Sequence, residues 1–164
     1  MAKTKTITSL RNKLWKLTSL YVRLRGSDFD DNCSCVTCGH TRHYKEMQAG
    51  HFIPKAQGNA TAWDLRNIHP QCYRCNINLG GNGAEYFPFM LKTYGSEVVD
   101  ELRQLSNTSR KISRVQYEEM IEHLQEKLQE LIKQRENPTY WQDIEAQENE
   151  LRKHWTHWAL QNIS

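Results

Sequence analysis

The 164-residue chain contains no run of about 18 apolar residues, which excludes an ordinary membrane-spanning helix. Its start, Met1-Ala2-Lys3-Thr4-Lys5, is not followed by the apolar stretch of a secretory signal, so the chain is expected in the cytoplasm and away from membranes. It has no internal repeat and no low-complexity linker, which sets aside solenoids and flexible tethers. Hydrophobic residues make up only 38% of it. A core built from so little is modest, and a chain of this length suits one domain, or a small domain with an appendage, that needs a staple besides burial.

Five cysteines supply the candidates for that staple. In a reducing compartment they point to metal ligands before disulfides. Cys35-Val36-Thr37-Cys38 and Cys72-Tyr73-Arg74-Cys75 are two C-x-x-C pairs, and four thiolates from two such knuckles can close one tetrahedral Zn²⁺ site. A redox motif requires one such pair, not two. Cys33 is left over. It could stand in for Cys35, but the spacing to Cys38 and the following Gly39 favour Cys35.

The net charge of +3 conceals an asymmetry. Residues 1–95 carry 13 Lys or Arg against 6 Asp or Glu, a balance of +7, whereas residues 96–164 carry 9 against 13, a balance of −4. The first part is the one suited to a polyanion.

Apolar residues at Leu10, Leu14, Leu17, Tyr21 and Leu24 predict an amphipathic helix over 7–25, with Arg11, Lys13, Lys16, Arg23 and Arg25 mostly off its apolar stripe and available either to solvent or to phosphates. Asp28, Asp30 and Asp31 then form a polar link to the first knuckle. Between the knuckles, strands are predicted at Gln48–Ile53 and Leu65–His69, with Pro70 stopping the second, and a short helix carries Cys75 and Asn76 as far as Gly80-Gly81. Further helices follow at Glu85–Tyr94, ending at Gly95, and from a cap at Ser96 to about Leu105. A longer one, from about Ser113 to Gln134, places Tyr117, Ile121, Leu124, Leu128 and Leu131 on a heptad-like seam. Asn137-Pro138 breaks it, and a last helix from Tyr140 to Leu160 bears Trp141, Ile144, Leu151, Trp155 and Trp158. The final two helices suit an intramolecular hairpin, or else a dimer seam. The resulting class is α+β, with boundaries expected at 1–32 for a basic helix, 33–95 for the zinc-stapled core and 96–164 for the helical remainder.

Inside the zinc clamp sit His51, Asn67 and Asn76, which together suit phosphodiester hydrolysis. An imidazole titrates near neutral pH and needs only a backbone carbonyl on its second nitrogen to act as a base for water. The amide oxygen of Asn76 is a hard, neutral donor for Mg²⁺ or Mn²⁺. Asn67 can hydrogen-bond backbone across the loop and hold the His51 strand in place. His40, His43 and His69 are read as structural or surface residues.

The run Cys35-x-x-Cys38, Gly50-His51-Phe52-Ile53-Pro54, Arg66-Asn67-Ile68, Cys72-x-x-Cys75-Asn76 resembles the HNH (ββα-metal, or His-Me finger) nucleases, in particular the His-Asn-Asn variant with embedded zinc of endonuclease VII-type Holliday-junction resolvases. Over roughly residues 7–105 the chain is more closely similar to the phage NinG (Rap) recombination family. That resemblance rests on Gln48-Ala49-Gly50-His51-Phe52-Ile53, Trp63-Asp64-Leu65-Arg66-Asn67-Ile68-His69-Pro70-Gln71-Cys72, Cys75-Asn76 and Gly81-Asn82. It implies a zinc-stapled ββα core with His51 as general base, Asn76 as metal ligand, Asn67 as orienting amide and Cys35, Cys38, Cys72 and Cys75 on structural zinc. The implied activity is cleavage of branched DNA in phage recombination.

The chain departs from the HNH pattern in two places. Many HNH enzymes carry Asp immediately before the histidine, and here that position is Gly50. The remaining coordination then falls to water and phosphate, or to a residue outside the motif, the nearest acidic ones being Asp64 and Glu85. No lysine follows Asn76 in the usual place either, so phosphate contacts are assigned by charge to Lys55, Arg66, Arg74 and the first helix. Paired nicks across a junction imply a homodimer. Two other classes share these features: a non-catalytic zinc-knuckle DNA-binding module, and a sequence-specific HNH endonuclease acting on linear duplex.

Overall fold

The computed structural model describes residues 6–137 together with Thr139 and Tyr140. The chain divides into two compact units, Met1–Leu128 and Gln129–Ser164. The expected last helix with its tryptophans lies outside the described residues, apart from Tyr140 at its start. The mixed α+β class holds: among the described residues, three helices of 19 to 24 residues accompany two small antiparallel sheets. Among the described residues, no helix is long and apolar enough to cross a membrane.

Helix α1 spans Ile7–Arg25, as its stripe predicts. The Thr6 side chain accepts from Ser9 N at its start, and Leu10, Leu14, Val22 and Leu24 are buried along one face. Each such side chain contributes about 1.5–3 kcal/mol when removed from water. Leu10 and Leu14 pack with Tyr117, Ile121 and Leu124 of α3 (Arg114–Arg135), so this part of the heptad-like seam is covered by α1. Ser113 and Gln116 exchange side-chain and backbone hydrogen bonds at the start of α3, a capping box.

Two strands absent from the sequence-based expectation, β1 (Asn32–Ser34) and β2 (Thr41–His43), form a hairpin around the first knuckle. Strands β3 (Gln48–His51) and β4 (Ile68–Gln71) pair antiparallel, with Gln48 opposite Gln71, Gly50 opposite His69 and His51 opposite Ile68. Pro70 does not stop β4, contrary to expectation. β4 pairs with one strand only, and the hydrogen bond from Phe52 N to the Asn67 carbonyl sets a phase in which the Ala49–Pro70 pair requires no proline N–H, while on the outer edge the Pro70 carbonyl accepts from Val36 N at 3.0 Å. Ala49 and Ile68 pack with Val22 of α1, which ties the sheet to the helix.

Cys75 and Asn76 sit on a single π-helical turn, Arg74–Asn78, in place of an ordinary helix. Helix α2 (Gly83–Ser106) is broken at Gly95 (φ 80°, ψ 170°), a left-handed backbone that glycine tolerates, so the two helices meeting there are present. Val99 and Leu102 beyond the break share a buried cluster with Tyr86 and Met90 before it and with Ile53 of the loop after β3.

Candidate functional site

Sγ atoms of Cys35, Cys38, Cys72 and Cys75 all lie within 4.8 Å of one another, and these four could hold a metal ion such as zinc. Cys33 is buried beside them but is not among the four. Burial works against ionising the Cys35 thiol, yet hydrogen bonds from the Thr37 hydroxyl and from the backbone of Cys72, Thr37 and Cys38 outweigh it and bring the group down to about 6. Cys38 is pushed up to about 12, by burial first and then by the surrounding sulfurs, and Cys72 is raised in the same way. One thiolate thus raises the cost of the next. A divalent cation removes that conflict, so the donor set fits zinc in both chemistry and charge.

His51 ends β3 with its ring stacked on Trp15 of α1, the centroids 5.3 Å apart and the planes at 22°. Its Nε2 lies 3.0 Å from the Ala62 carbonyl oxygen. A carbonyl only accepts, so Nε2 carries the hydrogen of the neutral ring and Nδ1 keeps a lone pair. Burial lowers the histidine to about 4, against the hydrogen bond to Ala62 and with help from the Lys55 ammonium. Lys55 Nζ stands 3.4 Å from the centre of the Trp15 ring and 5.3 Å from that of Trp63.

The backbone before His51 is fixed by a buried relay. Tyr86 donates to the Gly50 carbonyl at 3.0 Å. The Tyr86 oxygen therefore accepts from His69 Nδ1 at 2.9 Å, and His69 Nε2 accepts from the Tyr94 hydroxyl at 2.8 Å. His69 is lowered to about 3 by burial and then by Arg25, so it stays neutral and serves this network, as a structural histidine does. Asn67, fully buried, spans the loop: its Oδ1 accepts from Ile53 N at 2.8 Å, and its Nδ2 donates to the carbonyls of Ile53 and Thr61 at 3.0 and 3.1 Å.

Asn76 donates through Nδ2 to Gln48 Oε1 at 2.6 Å, which leaves Oδ1 directed at Gly50. A Cβ at Gly50 would lie 3.0 Å from that oxygen and would overlap Gln71 Oε1. A side chain at position 50 would therefore have to displace the Gln71 amide, which reaches across diagonally from β4. Gln71 is fully buried, with Nε2 donating to the Gly81 carbonyl at 2.8 Å and to Thr37 Oγ1 at 3.2 Å.

Several expected phosphate ligands are engaged elsewhere. Arg66 forms a fork with Asp64 and Glu101, at 2.8 Å to each, and these carboxylates hold it well above the usual guanidinium range. Asp64 is spent in the same pairing, and Glu85 is exposed on α2. Arg23 donates to the carbonyls of Ser19, Tyr44 and Met47, and Arg25 to those of Leu65 and Ile68, which pins α1 to the core. Lys13 reaches Gln125 on α3 at 3.2 Å. Lys16 and Arg74 are exposed.

Arg11 and Lys55, by contrast, line one cleft with Trp15, Trp63, Arg110 and Lys111. Sequence reasoning did not select Arg110 and Lys111, which lie in the acidic part of the chain, nor Trp15, Trp63, Gln48 and Gln71. The two glutamines had a signal: they flank the Gly50-His51 and Cys72-x-x-Cys75 motifs and face each other in the strand register.

The chain is 35% identical to protein ninG of Escherichia phage 933W over 81 residues, which is 49% of this chain and 40% of that protein. Protein ninG of Escherichia phage lambda is 33% identical over 49% of the chain and 39% of its own length, and that of Salmonella phage P22 is 34% identical over 44% and 36%. The matched region thus spans about two fifths of the length of these relatives. No solved structure matches the chain. The family model described as Bacteriophage Lambda NinG protein matches residues 1–136, most of the length and all of the site described above, and the chain belongs to that family.

Proposed function

We propose that this protein is a metal-dependent, structure-specific DNA endonuclease with a zinc-stapled HNH-type ββα core, cleaving branched recombination intermediates such as Holliday junctions, forks and D-loops. The observation that carries this reading is the state of His51: a neutral ring, its Nε2 bound to the Ala62 carbonyl and its Nδ1 lone pair available, on the residue after Gly50, toward which the Asn76 amide oxygen points. β3, the loop, β4 and the π-turn supply the ββα order, and the four-cysteine cluster anchors its ends.

In the proposed reaction, His51 Nδ1 takes a proton from water as the water oxygen bonds to phosphorus. The ester bond to one sugar oxygen breaks, and that oxygen takes up a proton from solvent water as it leaves. Asn76 would hold Mg²⁺ or Mn²⁺, which when bound would supply charge stabilisation for the transition state and the leaving oxygen. Asn67 fixes the loop between the two strands. The cleft of Arg11, Lys55, Arg110 and Lys111, walled by Trp15 and Trp63, offers cations for the phosphates of a branch. Two nicks on opposing strands require a homodimer.

The test is cleavage of four-way, forked and linear DNA at equal concentration with Mg²⁺ or Mn²⁺. Wild type should cut the branched substrates preferentially, and His51→Ala should lose about 10²–10⁴-fold in rate. Intact DNA in every lane with wild type would leave a zinc-knuckle DNA-binding protein, and preference for linear duplex would leave a sequence-specific nuclease.

A further inference from the structure

The departure at Gly50 has a counterpart on the facing strand. Among the described residues, two buried side-chain polar atoms lack a hydrogen-bond partner, Thr61 Oγ1 and Gln71 Oε1. The Gln71 amide cannot turn, because Nε2 faces the Gly81 carbonyl, an acceptor only, and rotation would set oxygen against oxygen. Its Oε1 is therefore held, fully buried and unpartnered, against Gly50 Cα, on the side toward which Asn76 Oδ1 also points. A buried acceptor without a donor costs free energy unless a cation or donor meets it.

We infer that Gln71 Oε1 is the second protein ligand of the catalytic divalent cation, paired with Asn76 Oδ1 in the space left by the missing side chain at Gly50. The inference rests on the nuclease reading for the cation's role, though not for its binding. Glycine at position 50 leaves room for this oxygen, which arrives from β4 rather than from β3. Gln48 completes the arrangement by taking the Asn76 Nδ2 hydrogen, which orients that amide with its oxygen inward. Both ligands are hard oxygens suited to Mg²⁺ or Mn²⁺, and both are neutral. A site without carboxylate charge binds weakly alone and tightens when a phosphodiester brings negative charge, so metal and DNA binding are coupled.

The probe is Mn²⁺, titrated into full-length, zinc-loaded protein. Free ion is followed by electron paramagnetic resonance into the millimolar range, and bound ion by broadening of the His51 ring and Gln71 side-chain resonances. Wild type should show one site that broadens both residues. Gln71→Met and Gly50→Ala should each weaken it at least tenfold with zinc content unchanged. Equal Mn²⁺ affinity in wild type and Gln71→Met, or broadening centred away from His51 and Gln71, overturns the assignment. If Gln71→Met loses zinc or cooperative unfolding, Gly50→Ala, which retains the Gln71 side chain, decides by the same criterion. Nuclease activity is scored separately: Gln71-dependent Mn²⁺ binding without DNA cleavage removes the nuclease reading and keeps the site. Cleavage with unchanged Mn²⁺ binding in both variants removes the site and keeps the nuclease.

Discussion

At the scale of single residues, His51 and His69 show how burial selects a protonation state. Both are lowered from about 6.5, to about 4 and about 3, chiefly by burial. The folded chain therefore refuses protons that the unfolded chain accepts. Above pH 6.5 both states are neutral and the two histidines give no pH dependence. Below it the unfolded state gains protons first, so stability falls with pH, by at most about 1.4 kcal/mol per pH unit for each histidine, until the folded groups titrate. His51→Ala removes one of the two. Chemical denaturation at pH 7, 6 and 5 should show a shallower loss for the variant than for wild type, by up to about 1.4 kcal/mol per unit. Parallel lines for the two proteins would mean that the ring takes up its proton as readily in the folded chain as in the unfolded one, so that burial does not hold it neutral.

At the scale of elements, periodicity was the legible part. Leu10, Leu14, Leu17, Tyr21 and Leu24 define α1 to its ends, and Gly95 marks the break in α2, because one face of a helix and one left-handed residue are local facts. β1 and β2, three residues each, carry no alternation long enough to read, and the extent of β4 through Pro70 depends on its having one partner only. The positions of His51, Asn67, Asn76 and the paired cysteines were visible as motifs. The roles of Arg23, Arg25 and Arg66 were not, since charge alone does not distinguish a phosphate contact from a clamp on carbonyls or carboxylates. The spare cysteine was a near miss of one C-x-x-C register, which the geometry resolves in favour of Cys35. Purified protein should accordingly contain one zinc per chain. Cys35→Ser should lose it, together with the cooperative unfolding of the β1–β2 and β3–β4 hairpins, whereas Cys33→Ala should retain it. Zinc lost from Cys33→Ala and kept by Cys35→Ser would exchange the two ligands and move the first knuckle.

At the scale of the whole molecule, the charge asymmetry along the sequence is partly undone by folding. Asn59 holds Arg110 through two hydrogen bonds, from Nδ2 to the Arg110 carbonyl at 2.7 Å and from Arg110 N to Oδ1 at 2.8 Å. The neighbouring Gly58 lies against the Ser106 backbone, so closely that a Cβ would overlap the Ser106 carbonyl oxygen. These contacts join the loop after β3 to the segment after α2 and bring Arg110 and Lys111, from the acidic part of the chain, to the cleft that Arg11 and Lys55 line. Arg66 meanwhile is neutralised by Asp64 and Glu101. Binding to branched DNA should therefore weaken steeply with salt, and each phosphate contact removed should reduce the slope of log affinity against log salt by about 0.9 for duplex arms. Replacing Arg110 and Lys111 together by Ala should reduce it by about 1.8 and weaken binding across substrates of different sequence. Arg66→Ala should leave the slope unchanged and lower stability instead, by about 1 kcal/mol as for an exposed ion-pair network. Fluorescence anisotropy of a labelled junction at several salt concentrations, paired with denaturation of each variant, separates the two. A slope lowered by Arg66→Ala and untouched by the double variant would place the DNA at Arg66 and away from the cleft.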